Sequence, residues 1–444
     1  MEEAYEELER NQDDRQLIRI AKARDKASKD ITSMKQMKDE SGLVLHDQEK
    51  ILQRWLEYFE RLLNEENARE KYEEGEANQG VTQTIRRKEV EYAVIHMKSG
   101  KAVGADQIPI DAWKSLGERG IDILWDLMQK IWEGEQIPNA WRSSILVPIY
   151  KGKGDIQNCG NYRGIKLMSH TMKVWERIIE RRLRDETEIC EEQFGFMPGR
   201  GTTDAIFTLR QLIERHKELH AELHIAFIDL EKAYDRVPRQ EIWRSMRTKG
   251  LPEKYVRIVK EMYQGVMTHV RSSVGTTREI PVRVGLHQGS ALSPYLFDLV
   301  MDVLVTDVKE AAPWNMMFAD DVVLCEPTQE KLQEKLEEWR RALEERGMKI
   351  SRVKTEYMSL QEVQELSINL QEAEIPQTSK FKYLGSYVQS NKGLEAEIQY
   401  RIIIWWMNWK RLCGVMCDRK VSCKLKGKLY KSVVRPAMLY SAET

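Results

Sequence analysis

The sequence predicts a mixed α/β fold of the α+β kind: a central sheet interleaved with helices, then a terminal helical unit. Three observations carry that expectation. Short apolar runs of period two recur along the middle of the chain, separated by stretches whose apolar residues repeat every three or four positions. The 444 residues are 41% hydrophobic and 32% charged, enough for a sizeable core under a soluble surface. At roughly 150 residues per domain, that length allows two or three units. Beyond about residue 391 the strand pattern stops and the spacing turns helical.

The elements follow in order. Residues 1–75 hold 20 acids and 14 bases and lack Pro, with few apolar residues before Met37. The first forty therefore read as a solvated helix or linker. Ile51, Leu52, Trp55, Leu56, Phe59, Leu62 and Leu63 then mark an amphipathic helix with Asp47 as its N-cap. Residues 67–80 are polar, contain two Gly, and read as a flexible joint. Strands are expected at Ile145–Ile149, at His224–Ile228, in two pieces around Gly275, from Met316 to Cys325, and from Phe381 to Val388. Leu332, Leu336, Trp339 and Leu343 place a helix over 329–346. No repeat of about 20–50 residues is visible.

Composition removes several function classes. The longest apolar run, Ile145 to Tyr150, is far short of the ~18 residues of a membrane span. The acidic start, Met1-Glu2-Glu3-Ala4, fits neither a secretory signal nor a mitochondrial presequence. Six cysteines suit a reducing compartment, and Cys413, Cys417 and Cys423 lack the paired spacing of a zinc site. The expectation is an intracellular protein with no membrane partner. A net charge of −1 is uninformative, so charge must be read locally. Arg401 to Pro436 carries ten bases against Asp418 alone, with Trp405, Trp406 and Trp409 interleaved, and Arg142 to Arg182 carries nine bases and three acids. Such segments suit a polyanion, or amphipathic helices with snorkelling Lys. The three Trp side chains read as core first and as stacking platforms second.

Three segments carry candidate chemistry. Phe318-Ala319-Asp320-Asp321 sets two acids in a tight turn between apolar strands. Asp229 closes the apolar strand Ile225–Ile228, and Leu230 to Tyr234 reads as helical. Were the two strands adjacent, Asp229 and Asp320 would project from neighbouring ends, where carboxylates repel unless divalent cations bridge them. Such hard oxygen ligands suit Mg²⁺, two ions of which activate an attacking hydroxyl and stabilise a leaving phosphate. Gly285-Leu286-His287-Gln288-Gly289-Ser290 offers close backbone approach around Gln288, and Ser293-Pro294 opens a helix. His216, His220 and His224 are spaced by four, but His224 begins a strand, so they cannot share a helix face for metal binding.

In this order the three segments resemble motifs A, B and C of reverse transcriptases. Asn161–Ile165 and Gln193–Thr203 resemble the fingers motifs of non-LTR retrotransposon enzymes, and Gly100–Asp106 resembles the upstream motif of LINE-type enzymes, with Ala105 where Pro is usual. Gly347–Ile350 through Lys354–Glu356 resembles motif D, and Phe381–Gly385 resembles motif E. The likeness covers about residues 40–440 and is nearest to the RTE/BovB-like group around Trp141–Ile165 and Lys335–Met358.

The resemblance implies a right-hand polymerase: a helical N-terminal linker region over 1–80, fingers over 81–223, an antiparallel-sheet palm over 224–390, and a helical thumb, truncated, over 391–444, with the reverse transcriptase domain at about 131–388. It implies RNA-directed DNA synthesis on an RNA template, from a DNA primer and deoxynucleoside triphosphates. Asp229, Asp320 and the carbonyl of Leu230 would hold two Mg²⁺ ions, with Mn²⁺ able to substitute. Asp321 is the secondary carboxylate, and Lys354 the proton donor to pyrophosphate. Lys151 and Arg163 would hold the triphosphate, and Tyr234 would bar a 2′-hydroxyl. Gln288 and Gly289 would face the templating pair, and Phe381, Tyr383, Leu384 and Gly385 would form the primer grip. The rival expectation is a decayed or domesticated RNA-binding protein without catalysis. Another is a group II intron-type or telomerase-type enzyme.

Overall fold

The computed structural model describes residues 36–70, 72–361, 367–391 and 393–443, with five further positions between 17 and 23. Expectations for residues 1–16 and 24–35 lie outside the described residues. The chain opens with a short hairpin, β1 (Met37–Lys38) and β2 (Val44–Leu45). The Gln48–Asn64 helix follows, and Asp47 caps it by accepting from the Lys50 N–H at 3.0 Å. Its apolar face, including Ile51, Trp55 and Phe59, packs on a five-stranded sheet built from β3 (Ser143–Tyr150), β4 (Tyr162–Leu167), β6 (Met267–Ser272), β7 (Gly275–Thr276) and β8 (Ile280–Pro281).

The second sheet carries the candidate chemistry. It contains β5 (His224–Asp229), β9 (Asn315–Phe318), β10 (Asp321–Glu326) and β11 (Glu356–Ser359), in the order β11-β5-β10-β9 and antiparallel throughout. Both faces are covered. On β5, Ala226 and Ile228 enter the core shared with the Arg239–Thr248, Glu253–Tyr263, Ser293–Leu304 and Gln329–Glu344 helices. Ile225 and Phe227 face the Thr202–Glu218 helix and a hairpin of β14 (Lys380–Tyr383) and β15 (Ser386–Gln389). Burial on both faces explains why β5 and β10 read as unbroken apolar runs rather than alternating ones. Between these elements lies a small hairpin of β12 (Ile368–Leu370) and β13 (Ala373–Ile375).

Three expectations need correction. The described residues of 67–80 form no helix or paired strand beyond one bridge, but they are a pinned strap, not a flexible joint. Asn67 donates to the Gly347 carbonyl at 2.8 Å, Glu74 pairs with Lys260 at 2.7 Å, and Asn78 bridges Pro252. Among the described N-terminal positions, Leu17 and Ala21 are not solvated. They are buried against Leu412, Val415, Leu425 and Leu429 of the C-terminal helices. Finally, Leu230 to Lys232 are not helical. Lys232 takes a left-handed conformation (φ 49°), and only one turn of helix, Ala233–Arg236, follows.

The C-terminal unit is helical as expected, starting with Glu395–Met416. Trp405 and Trp409 pack against its core while Trp406 is half exposed, so the aromatic cluster divides between the two expectations. No helix among the described residues is long and apolar enough to cross a membrane.

Candidate active site

The site is built where β5 and β10 meet. Their register sets Asp229 directly opposite Asp321, and the hairpin joining β9 to β10 turns through Ala319 and Asp320. Ala319 adopts φ 56°, a left-handed position where a two-residue hairpin turn favours Gly. Strain of this kind persists where the surroundings fix it. The adjacency of Asp229 and Asp320 expected from sequence is therefore a consequence of strand pairing.

Beyond Asp229 the chain is stitched to residues 349–351. The Glu231 N–H donates to the Lys349 carbonyl at 2.8 Å, and the Ser351 N–H donates to the Asp229 carbonyl at 2.8 Å. This pairing carries Lys354 over the carboxylate, with Nζ 2.9 Å from Asp229 Oδ2. Leu230 is buried between the two segments.

From the five-stranded sheet come the bases. Lys151 follows β3 and Arg163 lies on β4, on either side of a loop that also bears Lys153. The chains on either side are tied where the Lys151 N–H donates to the Asn161 carbonyl at 2.9 Å. Burial, and then the neighbouring Lys354 and Arg163, hold the Lys151 ammonium below its ordinary value. That crowding of cations favours a bound polyanion.

Gln288 and Gly289 sit beside β4. Lys166 N–H donates to the Gln288 carbonyl at 2.8 Å, and the Gln288 amide donates to Asp235 Oδ1 at 2.9 Å. Gly289 has φ 113°, and a Cβ there would stand 2.6 Å from the Lys166 carbonyl oxygen, so no other residue fits without a shift. The Tyr234 ring stacks on Phe297, with centroids 4.8 Å apart, and its buried hydroxyl has no hydrogen-bond partner among the described residues.

These groups enclose one cavity of about 490 Å³, lined by Asp229, Leu230, Asp320, Lys151, Arg163, Lys354, Tyr234 and Gln288 among others. Asp321, which is exposed, and Gly289 do not line it. The predicted grip residues lie apart. Phe381 stacks on Phe227 at 3.9 Å, Tyr383 is buried, and Leu384 and Gly385 form the left-handed turn of the β14–β15 hairpin. The hairpin buttresses the sheet two residues before Asp229. His216 lies on a helix and His224 on β5, as read from sequence.

Among the lining residues without a role read from sequence are Tyr58, Lys153, Lys232 and Asp235. Lys153 could have been found, because Lys151-Gly152-Lys153-Gly154 is a short basic, glycine-bearing loop. Tyr58 could not, since its spacing is that of helix core.

Electrostatically the carboxylates crowd one another. Burial, with Asp229 adding to it, raises the Asp320 carboxyl above its ordinary range. Burial, then Asp320 and Asp229, push Asp321 up to about 7. Among the described residues, no group of three or more His, Cys, Asp or Glu is arranged to hold a metal ion. Asp229 and Asp320, on adjoining strand ends, thus face a cavity rimmed by Lys151, Arg163 and Lys354.

Comparison with known proteins identifies the family. Residues 149–388, more than half of the chain, match the reverse transcriptase (RNA-dependent DNA polymerase) family. The chain belongs to that family, its fold is the right-hand polymerase fold, and its type is the non-LTR, LINE type. It is 27% identical over 257 residues to the Retrovirus-related Pol polyprotein from type-1 retrotransposable element R2 of Nasonia vitripennis, covering 56% of this chain and 25% of that protein. It is 25% identical to the Probable RNA-directed DNA polymerase from transposon BS of Drosophila melanogaster, over 81% of this chain and 42% of the relative. The RNA-directed DNA polymerase from mobile element jockey of the same fly is 23% identical, over 80% and 41%. The chain thus spans a quarter to two fifths of the length of these curated relatives. Among solved structures, an apo telomerase from Candida tropicalis, truncated from its C-terminal domain, is similar at TM-score 0.42 and 12% identity over 65% of this chain and 62% of that one. That likeness is too distant to bear on the site.

Proposed function

We propose that this chain is an RNA-directed DNA polymerase that extends a DNA primer on an RNA template using deoxynucleoside triphosphates. One observation carries the reading: Asp229 and Asp320, Lys151, Arg163 and Lys354, and Tyr234 and Gln288 come from distant parts of the sequence and line a single cavity. Carboxylates for cations, bases for a triphosphate and an aromatic wall for a sugar are the set that nucleotidyl transfer needs.

The donor set fits divalent cations. Burial and then the neighbouring carboxylates raise the proton affinity of Asp320 and Asp321, and a hard cation would remove that repulsion. Asp229, Asp320 and the Leu230 carbonyl would hold Mg²⁺, which when bound would offset the charge on the phosphates and lower the pKa of the primer hydroxyl. The chain's own residues do the remainder. Lys151 and Arg163 bind the triphosphate through charge-assisted hydrogen bonds. Lys354, in ion pair with Asp229, is placed to give a proton to the departing pyrophosphate. Tyr234 excludes a 2′-hydroxyl by occupying its space. Gln288, held by Asp235, bounds the base-pair side.

Fingers over 81–223, palm over 224–390 and thumb from 391 divide the chain in this reading, with Phe381–Gly385 supporting the primer from the β14–β15 hairpin. The RTE/BovB-like affinity of Trp141–Ile165 and Lys335–Met358 belongs to the same proposal. The test is primer extension on an RNA template by the purified chain with Mg²⁺. Template-directed addition of deoxynucleotides is expected. Hybrid binding without any addition, in Mg²⁺ or Mn²⁺, would leave the non-catalytic RNA-binding reading in its place.

A further inference from the structure

Phe194 and Phe196 stand two residues apart and have opposite surroundings. Phe194 is buried beside the Thr202–Glu218 helix, with the Arg200 guanidinium 5.3 Å over its ring. Phe196 is 46% exposed and has φ 52°, a backbone conformation costly for a bulky residue. Glycine would take that conformation freely. A ring left nearly half exposed returns only part of what full burial would, so fold stability is a weak reason for Phe at a strained position.

The segment carrying Phe196 is locked to the carboxylate turn. The Phe194 N–H donates to the Met317 carbonyl and the Met317 N–H to the Glu192 carbonyl, both at 2.8 Å. The buried side-chain oxygen of Gln193 accepts from the Ala319 N–H at 3.0 Å and the Gly195 N–H at 2.9 Å. Gly195 lies so close that a Cβ would sit 2.4 Å from the Ala319 nitrogen. Arg184 then donates to the Phe196 carbonyl at 3.0 Å, and the Phe196 ring meets Tyr234 edge-on at 6.3 Å. A solvent-facing aromatic ring is thus fixed, at the expense of backbone strain, beside the turn that presents Asp320.

We propose that Phe196 is a stacking platform for a nucleobase of the bound primer–template. This rests on the polymerase reading, because a primer end at Asp229 and Asp320 brings the last base pairs next to the ring. Strain retained at an exposed aromatic is then explained by what it contacts, and sequence-tolerant stacking suits an enzyme that copies any template.

The test uses the full chain and a fluorescein-labelled RNA-template/DNA-primer hybrid, with binding and melting temperature measured together. Phe196→Gly should keep or raise the melting temperature, because it releases the strain. It should also weaken hybrid binding by roughly 5- to 150-fold, the range for one lost stack. Phe196→Tyr should bind within about twofold of the wild type, since it keeps the ring. A scan of single abasic sites should find one position where the Phe196→Gly loss disappears, the coupling expected of a direct contact. A lowered melting temperature, unchanged binding by Phe196→Gly, or additive losses at every abasic position would each overturn the assignment. Wild-type protein that extends the primer while the Phe196 variants match it overturns the stacking proposal alone. Wild-type protein that fails to bind the hybrid overturns both readings.

Discussion

Two pairs of aspartates in this molecule show how one side-chain type is put to different uses. Asp298 and Asp302 lie one turn apart on the Ser293–Leu304 helix, both fully buried. Asp302 meets Lys249 and Lys309, each at 2.5 Å. Burial works against its charge, but the two ammonium groups outweigh it and hold the carboxyl below its ordinary range. Asp298 has no hydrogen-bond partner among the described residues, and burial, only partly opposed by Arg184, pushes it up to about 8. Asp229 and Asp320 instead face a cavity, with Lys354 paired to Asp229 and the Asp229 charge bearing on Asp320. A carboxylate matched by bases inside the core holds elements together. Carboxylates set beside open space are, on the proposed reading, ligands for a cation.

The largest expected effect breaks this contrast at the open pair. Asp229→Ala and Asp320→Ala should each lower nucleotide addition by more than ~10³-fold, as loss of electrostatic stabilisation at a reacting phosphate does. The melting temperature and hybrid affinity should stay close to wild type, as read by thermal scanning and fluorescence titration. Asp302→Asn should do the reverse. It leaves two partly exposed lysines without their partner, so denaturant titration should show a loss of about 2–3 kcal/mol, with single-turnover addition by the folded fraction unchanged.

Asp298 sharpens the contrast through pH. Its carboxyl is raised on folding from 3.8 to about 8, so between those values the folded chain holds a proton that the unfolded chain has released. Stability therefore falls as pH rises through that window, and the penalty is complete above its upper end. Asp298→Asn removes the penalty. The variant should match wild type near the bottom of the window and exceed it above the top by on the order of 2 kcal/mol, measured by urea titration at both ends. A variant no more stable than wild type at high pH would show that Asp298 ionises without cost.

The smallest effect concerns the cavity wall. Tyr234→Val should keep deoxynucleotide addition and raise ribonucleotide incorporation by at least tenfold, about 1.4 kcal/mol of lost discrimination. Single-nucleotide extension with matched ribo- and deoxynucleotides reads it directly. Unchanged selectivity in an active variant would mean that the ring stacked on Phe297 serves only as core.

The sequence made some of this legible and concealed the rest for physical reasons. β5, β10 and the turn at Ala319 and Asp320 could be read because strands buried on both faces are apolar runs, and a charge that interrupts one is conspicuous. The Gln329–Glu344 helix could be read because Leu332, Leu336, Trp339 and Leu343 all turn inward, and all four are buried. The bend at Lys232 could not. Its left-handed backbone is imposed by the pairing of Leu230 with Ile350, far away in sequence. The strap over 67–80 looked flexible for a related reason, since its anchors, Gly347, Lys260 and Pro252, are supplied by other parts of the chain. Asp235 escaped notice because its use depends on Gln288 arriving from 53 residues away.

On the proposed reading the Asp229–Asp320 platform performs the chemistry on a bound hybrid. The most direct measurement is single-turnover extension of a labelled DNA primer on an RNA template, comparing wild type with Asp320→Asn at saturating hybrid and Mg²⁺. The wild-type chain should add the templated deoxynucleotide, while the variant binds the same hybrid with equal affinity and adds none above background. Addition by Asp320→Asn at a rate near that of the wild type would contradict it.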